Sequence, residues 1–160
     1  MQIRHGFSLV FVLALGALSV LHAAVDVPFR AVIETQPVVS GSCGPGCLLL
    51  EIPGAGTATH MGAVTIDGPS EVDVVAGRQT ATSTLTAANG DQLTLAIDGT
   101  VQFTGPGPTD PVTFTGSWEV VSGTGRFDGA TGGGTYVGVS EIPVGGSFTL
   151  TGSISRPGGR

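Results

Sequence analysis

His60 and Glu119 are the side chains whose chemistry could best support acid–base catalysis in this chain. His60 is the only histidine after residue 24, and imidazole is the group that most readily exchanges a proton near neutral pH. Glu119 follows the only tryptophan, Trp118, and a carboxylate beside a substrate can act as a general acid or base. The alternatives are a hydrogen-bonded strand residue for His60 and an exposed surface carboxylate for Glu119. No serine lies in a Gly-x-Ser-x-Gly sequence, so an α/β-hydrolase nucleophile is not indicated.

Cys43 and Cys47 are the only cysteines, and they flank Gly44-Pro45-Gly46. In an oxidising compartment such a pair is expected to form a local disulfide that stabilises a turn. The three-residue spacing differs from that of thioredoxin-type redox pairs, and two thiolates with one histidine make a poor zinc site. The sequence therefore predicts a structural disulfide, with a redox or metal role as the alternative, and it indicates neither a cofactor nor a resident metal.

The N-terminal residues are typical of a secretory signal peptide. An apolar run of fifteen residues, 7–21, follows a short segment that contains Arg4 and His5, and it precedes the small residues Ala23 and Ala24. The run is shorter than the roughly 20 residues of a transmembrane helix, and the small residues suit signal peptidase. We expect residues 1–23 to be removed, with cleavage after Ala23 or Ala24, and the protein to be secreted or periplasmic without membrane insertion. An uncleaved anchor helix is the alternative.

Residues 24–160 are expected to form a single acidic domain. They carry five arginines, no lysine and twelve carboxylates, so their formal net charge is −7. Nucleic-acid binding requires clustered Lys and Arg to displace counterions from phosphates, and these five arginines are scattered. Nucleic acid and anionic membrane surfaces are therefore not expected partners. The low charged fraction with abundant Val, Thr and Gly is typical of a compact β protein.

Hydrophobic residues alternate with period two along most of the chain, which predicts β-strands with one apolar and one hydroxylated face. The apolar faces comprise Val27, Phe29, Ala31 and Ile33; Leu93, Leu95 and Ile97; Val101 and Phe103; Val112, Phe114, Gly116, Trp118 and Val120; and Phe148, Leu150, Gly152 and Ile154. The opposite faces carry mostly Thr and Ser. Weaker patterns predict further strands at 47–52, 58–66, 71–75 and 134–140.

Asn89-Gly90 and Asp98-Gly99 are dipeptides that favour tight hairpin turns. They predict a meander of three strands, Thr80–Ala88, Gln92–Ile97 and Thr100–Thr104, followed by an exposed proline-rich loop over Gly105–Pro111. About eight to ten short antiparallel strands predict a closed or nearly closed up-and-down β-barrel. A β-sandwich is the alternative.

Gly123-Thr-Gly-Arg-Phe-Asp-Gly-Ala-Thr-Gly132 is the most specific motif of the sequence. Glycines permit backbone angles closed to other residues, so Gly123, Gly125 and Gly129 predict a tight turn, in which Phe127 fills the end of a core and Arg126 bonds to nearby backbone or to Asp128. The segment resembles the turn motif of the dirigent and allene oxide cyclase-like β-barrels. With Ala58-Thr-His-Met-Gly62 and Ala87-Ala-Asn-Gly-Asp91, it is also similar to a group of small secreted bacterial proteins.

This resemblance implies a barrel that holds a small apolar molecule in its mouth and, in the enzymes, cyclises it or steers its coupling. The first hypothesis is therefore a barrel that binds a small apolar or amphipathic ligand. The alternatives are an isomerase or cyclase that uses His60 or a cavity carboxylate, and a non-catalytic structural or interaction protein of the cell envelope. The aromatic set is interpreted as core or, alternatively, as a ligand cage: Phe29, Phe103, Phe114, Trp118 and Phe148.

Overall fold

The computed structural model describes residues 25–105, 110–141 and 144–156, and these form an all-β protein. Eleven strands follow one another: β1 (Val25–Thr35), β2 (Val38–Gly44), β3 (Cys47–Glu51), β4 (Gly54–Ala58), β5 (Gly62–Asp67), β6 (Pro69–Asp73), β7 (Arg78–Ala87), β8 (Gln92–Phe103), β9 (Val112–Gly123), β10 (Gly132–Glu141) and β11 (Gly145–Arg156). A single-turn 3-10 helix, Gly125–Phe127, lies between β9 and β10. The predicted signal peptide lies outside the described residues.

Eight antiparallel strands close into a barrel, in the order β7-β5-β4-β1-β11-β10-β9-β8 and back to β7. The closing pair of the first and last strands is long, running from Val25 opposite Arg156 to Thr35 opposite Gly146. Closure gives each barrel strand a neighbour on both sides, which satisfies the backbone donors and acceptors that an open sheet leaves at its edges. The predicted antiparallel barrel is thus confirmed, and the sandwich alternative is wrong.

The barrel interior is filled by the predicted apolar faces. Phe29, Ala31 and Ile33 of β1 are buried, and they alternate with outward-facing residues as the pleat of a strand requires. The core continues across the other strands through Leu85, Leu93, Leu95, Trp118, Leu150 and Ile154. Most of the barrel is therefore packed with side chains.

Three adjacent chain segments bend along one line near one end of the barrel. The bends separate β1 from β2, β3 from β4, and β5 from β6, and each is followed by a proline or includes one: Pro37, Pro53 and Pro69. Proline lacks a backbone donor and therefore interrupts a strand ladder. The bends bond to one another, with Gln36 N donating to Pro53 O (2.9 Å) and Ile52 N donating to Gly68 O (3.1 Å). Beyond this line, β2, β3 and β6 form an extension of the barrel wall.

The extension packs on the barrel through a second small core of Leu50, Val72 and Val101. Of the described strands, only β3 pairs with β2, so β2 is an edge strand. We call the barrel end beside this extension the mouth. The opposite end, at the β4–β5, β7–β8 and β9–β10 turns, we call the closed end.

Two local predictions were wrong. Asp98-Gly99 is not a turn, because β8 runs unbroken from Gln92 to Phe103. Gly99 faces inward, where a Cβ would collide with the Tyr136 hydroxyl and the Thr115 carbonyl, so this glycine is explained by close approach rather than by a turn. The segment 58–66 is not one strand, because a turn at Thr59–Met61 separates β4 from β5.

Other turns agree with the sequence. The Asn89-Gly90 hairpin connects β7 and β8, and Gly90 has φ of 88°, a left-handed conformation that glycine adopts without strain. The proline-rich stretch connects β8 to β9, although residues 106–109 lie outside the described part. No helix among the described residues has the length and apolar character needed to cross a lipid bilayer.

Candidate functional site: the barrel mouth

A cavity of about 60 Å³ lies inside the mouth, between the bend line and the far wall of the barrel. Apolar side chains form most of its wall. They come from six strands and from the β1–β2 and β3–β4 bends: Pro37, Leu50, Ile52, Ala81, Ile97, Phe114, Val139 and Phe148. The volume is well below the ~150 Å³ that holds a benzene molecule. The cavity can therefore receive one narrow end of a ligand rather than a whole molecule.

A chain of polar groups forms one side of this cavity. The Tyr136 hydroxyl donates to Gln79 Oε1 (3.0 Å), and Gln79 Nε2 donates to Ser70 Oγ (3.0 Å). Ser70 Oγ in turn donates to Thr80 O (3.3 Å). The chain connects β10 to β6 and β7, and it fixes the orientation of the Gln79 amide at the cavity.

Tyr136 is a hydrogen-bonding group here rather than a base. Burial, with a smaller contribution from the charge of Asp98, raises the pKa of Tyr136 to about 12. Both causes disfavour the phenolate. The hydroxyl therefore keeps its proton at neutral pH, and its oxygen can still accept a hydrogen bond.

Three buried hydroxyl side chains also line the cavity, Thr35, Ser83 and Ser140. The Ser140 hydroxyl donates to Gly145 O (3.5 Å). The hydroxyls of Thr35 and Ser83, which are 6% and 2% exposed, have no hydrogen-bond partner among the residues that the structure describes. No fully buried side-chain nitrogen or oxygen of the described residues lacks a partner, so these two oxygens are accessible to solvent. Both residues line the cavity, and a water or a polar ligand atom there could form a hydrogen bond with either hydroxyl.

A wider open groove of about 680 Å³ adjoins the cavity. The two share the lining residues Thr35, Val139, Ser140 and Ser147. The outer part of the groove is lined by Glu34, Gln36, Pro53, Gly54, Ala55, Pro111, Glu141, Val144, Gly145 and Gly146. The groove volume lies within the size range of small-molecule sites, which is about 300–1,000 Å³.

The five aromatic residues of the predicted cage lie in three different surroundings. Phe114 and Phe148 line the cavity. Phe29 and Trp118 pack together in the barrel core with ring centroids 5.4 Å apart, and Trp118 Nε1 donates to Thr135 O (3.1 Å).

Phe103 is 48% exposed, which corrects its expected position on the apolar face of its strand. β7 begins opposite Thr100, so among the described strands only β9 flanks the last residues of β8. The alternation continues to Val101, but no described strand covers Phe103 on the other side.

His60 and Glu119 lie away from the cavity. His60 is in the β4–β5 turn at the closed end, with φ of 66°, and its Nε2 lies 3.0 Å from Pro28 O. Glu119 is exposed on the outer face of β9, between the inward-facing Trp118 and Val120. Neither residue lines the cavity or the groove. His60 and Glu119 therefore supply no acid or base at the barrel mouth.

The Gly123–Gly132 motif covers the closed end of the barrel. Gly125 and Gly129 have φ of 60° and 72°, and the turn between them places the buried Phe127 ring on the core. Arg126 forms an ion pair with Asp91 (Nε–Oδ2, 3.1 Å) of the β7–β8 turn, rather than with the predicted Asp128. The motif thus holds two turns together at the end of the barrel opposite the mouth.

Cys43 and Cys47 form the predicted disulfide at the tip of the β2–β3 hairpin. The Glu71 carboxylate lies 3.6 Å from the Cys47 sulfur, and the three residues have the proximity of a metal-binding group. Sulfur in a disulfide is not the thiolate that binds metals. In this oxidised form the three residues do not offer a metal site.

The polar residues of the cavity were not predicted from the sequence. Tyr136 stands in a weakly predicted strand, and the pattern at Gln79 and Ser83 gave no indication of function. The one available signal was that Tyr136 is the only tyrosine of the chain, and a buried tyrosine usually has a hydrogen-bond partner for its hydroxyl.

No protein-family model matches this chain, and no curated protein matches it either.

Proposed function

We propose that this protein binds a small amphipathic ligand at the barrel mouth, outside the cytoplasm. The ligand places a narrow apolar end that carries one hydroxyl or carbonyl group in the cavity, and the rest of the molecule lies in the groove. The single observation that carries this proposal is the mouth cavity itself, where mostly apolar walls surround the hydroxyls of Thr35 and Ser83. An apolar pocket with a few convergent polar groups is typical of small-molecule sites.

The size of the cavity sets the expected affinity. Each buried methylene contributes about 0.8 kcal/mol, and only a short part of the ligand is enclosed. Loss of translational and rotational freedom offsets part of this gain. Dissociation constants on the order of 0.1–10 mM are expected for simple probes.

The test is an NMR titration of the ¹³C-methyl-labelled protein with 1-hexanol. We expect saturable shifts at Val139, Ile97 and Leu50, which line the cavity. An Ala81→Val variant adds two carbons to the cavity wall and should remove these shifts while keeping or raising the melting temperature. The control is Ala96→Val, on the outer face of the neighbouring strand opposite Thr82, which should bind as the parent does. Saturable shifts that persist in Ala81→Val, or none in the parent, would reject a mouth site.

Chemistry at the cavity finds little support among the described residues. The cavity lining contains no carboxylate, histidine or cysteine, and the raised pKa of Tyr136 keeps its hydroxyl protonated. An acid–base pair within reach of a substrate is the first requirement of a proton-transfer enzyme. We therefore propose binding rather than isomerisation.

An interaction role in the cell envelope is the second candidate, and the β2–β3 hairpin favours it. The chain has no charged residue between Glu34 and Glu51, and Val38 and Val39 are about half exposed on the edge strand. Such an edge can accept a strand from another protein. However, register shifts interrupt β2 on both sides of Ser42, and bulges of this kind protect edges from pairing. We therefore rank this role below ligand binding.

A further inference from the structure

The groove outside the cavity carries negative charge, and no described residue of its lining carries a positive charge. Its described lining includes the carboxylates of Glu34 and Glu141 and no arginine, and the chain contains no lysine. A cleft lined by one sign of charge concentrates ions of the opposite sign.

Three arginines whose side chains the structure describes lie outside the groove. Arg78 forms an ion pair with Asp98 on the outer wall of the barrel, and Arg126 forms one with Asp91 at the closed end. Arg30 is beside Thr59 of the β4–β5 turn. None of these three arginines lines the groove.

The two carboxylates stand on either side of β11. Glu34 of β1 pairs with Ser147, and Glu141 of β10 pairs with Gly145. From strand spacing and residue rise, their backbones are about 10–12 Å apart. The floor between them is Gly145–Gly146, which has no side chains, and Pro111 and Val144 add apolar wall. Glu34 and Glu141 are exposed on the outer face of the wall at the mouth, since they alternate with the buried Thr35 and Ser140, and a bulky cation can lie over bare backbone between them.

We propose that the ligand is a cationic amphiphile, with an ammonium group in the groove between Glu34 and Glu141 and an apolar, hydroxyl-ended tail in the cavity. This inference rests on the proposed binding function and adds its ligand class. The two carboxylates would repel an anionic headgroup and would not attract a neutral one. The groove therefore favours cationic ligands by attraction and disfavours anionic ligands by repulsion.

The test compares three probes that share a six-carbon chain with a hydroxyl at one end and differ in the group at the other end, which is an ammonium, a hydroxyl or a carboxylate: 6-hydroxyhexyl-trimethylammonium, 1,6-hexanediol and 6-hydroxyhexanoate. Affinities are measured by NMR titration of the full protein at low salt. We expect the ammonium probe to bind about 3- to 10-fold more tightly than the diol, since two exposed carboxylates each contribute modestly, and the hydroxyhexanoate to bind more weakly than the diol. The preference should shrink in 0.5 M salt, because salt screens exposed charges.

The decisive variant is Glu34→Gln with Glu141→Gln, which should abolish the preference for the ammonium probe over the diol. The matched control is Glu119→Gln with Asp128→Asn, two exposed carboxylates outside the groove, which changes the net charge by the same amount and should keep the preference. Equal binding of all three probes, or equal loss in both double variants, would overturn the charge inference while the binding function stands. Failure of every probe to bind would instead reject the binding function itself.

Discussion

Tyr136 is the residue whose environment most distinguishes the mouth from the rest of the barrel. Its ring is buried beside two glycines of neighbouring strands, Gly99 and Gly116, where an added Cβ would collide with it. These glycines allow the hydroxyl to reach Gln79 across the interior. The polar chain that shapes the cavity therefore depends on positions where a side chain is missing.

The titration of Tyr136 makes the free energy of unfolding depend on pH between about pH 10 and pH 12. The chain has no other tyrosine and no lysine that would titrate in this window. The folded protein holds the phenolic proton more tightly than the unfolded chain, because the pKa rises from 10.0 to about 12 on folding. The resulting stabilisation is complete below pH 10 and is lost as the pH rises through 12. We expect the free energy of unfolding to fall by about 1–2 kcal/mol between pH 9 and pH 12, less than the full shift implies, since the mouth is open to solvent. Urea unfolding at a series of pH values measures this.

The matched variant is Tyr136→Phe. The chain has no second tyrosine and no lysine, so the variant should show a flat profile over the same window. It should also lose about 1–2 kcal/mol at pH 7, because Gln79 Oε1 loses its donor. An equal fall at high pH in both proteins would show that Tyr136 is not its source.

At the scale of elements, the disulfide belongs to the β2–β3 hairpin rather than to the barrel. It closes a loop of five residues at the hairpin tip, for which the chain-entropy model gives about 2 kcal/mol. Replacing both cysteines by serine should therefore leave the barrel folded and cost at most about 2 kcal/mol. Hydrogen exchange should become faster in β2 and β3 only, and barrel amides serve as the internal control. Loss of protection throughout β7 to β11 would contradict this assignment.

The strands whose periodicity extends over many residues were predictable, and the short ones were not. The alternation in β9 and β11 is set by burial of one face along the whole strand, so the local sequence contains the information. β2 and β4 lack such a pattern, because prolines at the bends divide the first third of the chain into short pieces. The Asp98-Gly99 dipeptide was wrongly predicted as a turn. Its glycine is explained by the close approach of the Tyr136 hydroxyl, and Tyr136 is remote in sequence.

The mouth site was also beyond prediction, for a related reason. The hydroxyls of Thr35 and Ser83 converge on one cavity only after the barrel closes, and each stands in an ordinary strand pattern. The disulfide and the Gly123–Gly132 turn were accessible because their residues are close in sequence. Local chemistry was thus readable from the chain, whereas chemistry assembled across strands was not.

For the whole molecule, closure is the property on which the rest depends. The β1–β11 seam joins residues about 120 positions apart, from Val25 opposite Arg156 to Thr35 opposite Gly146. Because of this seam the barrel has no free edge, and the one described edge strand is β2 in the extension. A proline substitution should therefore lower the free energy of unfolding much more in a strand of the closed barrel than in the edge strand β2. This difference provides a test of closure.

Proline is the appropriate probe, since it removes a backbone donor and is tolerated in sheets only at edges or bulges. Thr149 lies in β11 with Val32 on one side and Val137 on the other, whereas Ser40 is the extra residue in the β2 register between Val39 and Gly41. Thr149→Pro should cost about 3 kcal/mol or more, and Ser40→Pro about 1 kcal/mol or less, as measured by urea unfolding. Both side chains face away from the main core, so the difference reports on the backbone ladder rather than on packing. A similarly small cost for Thr149→Pro would mean that β11 lacks one of its neighbours in solution, and that the barrel opens at this strand.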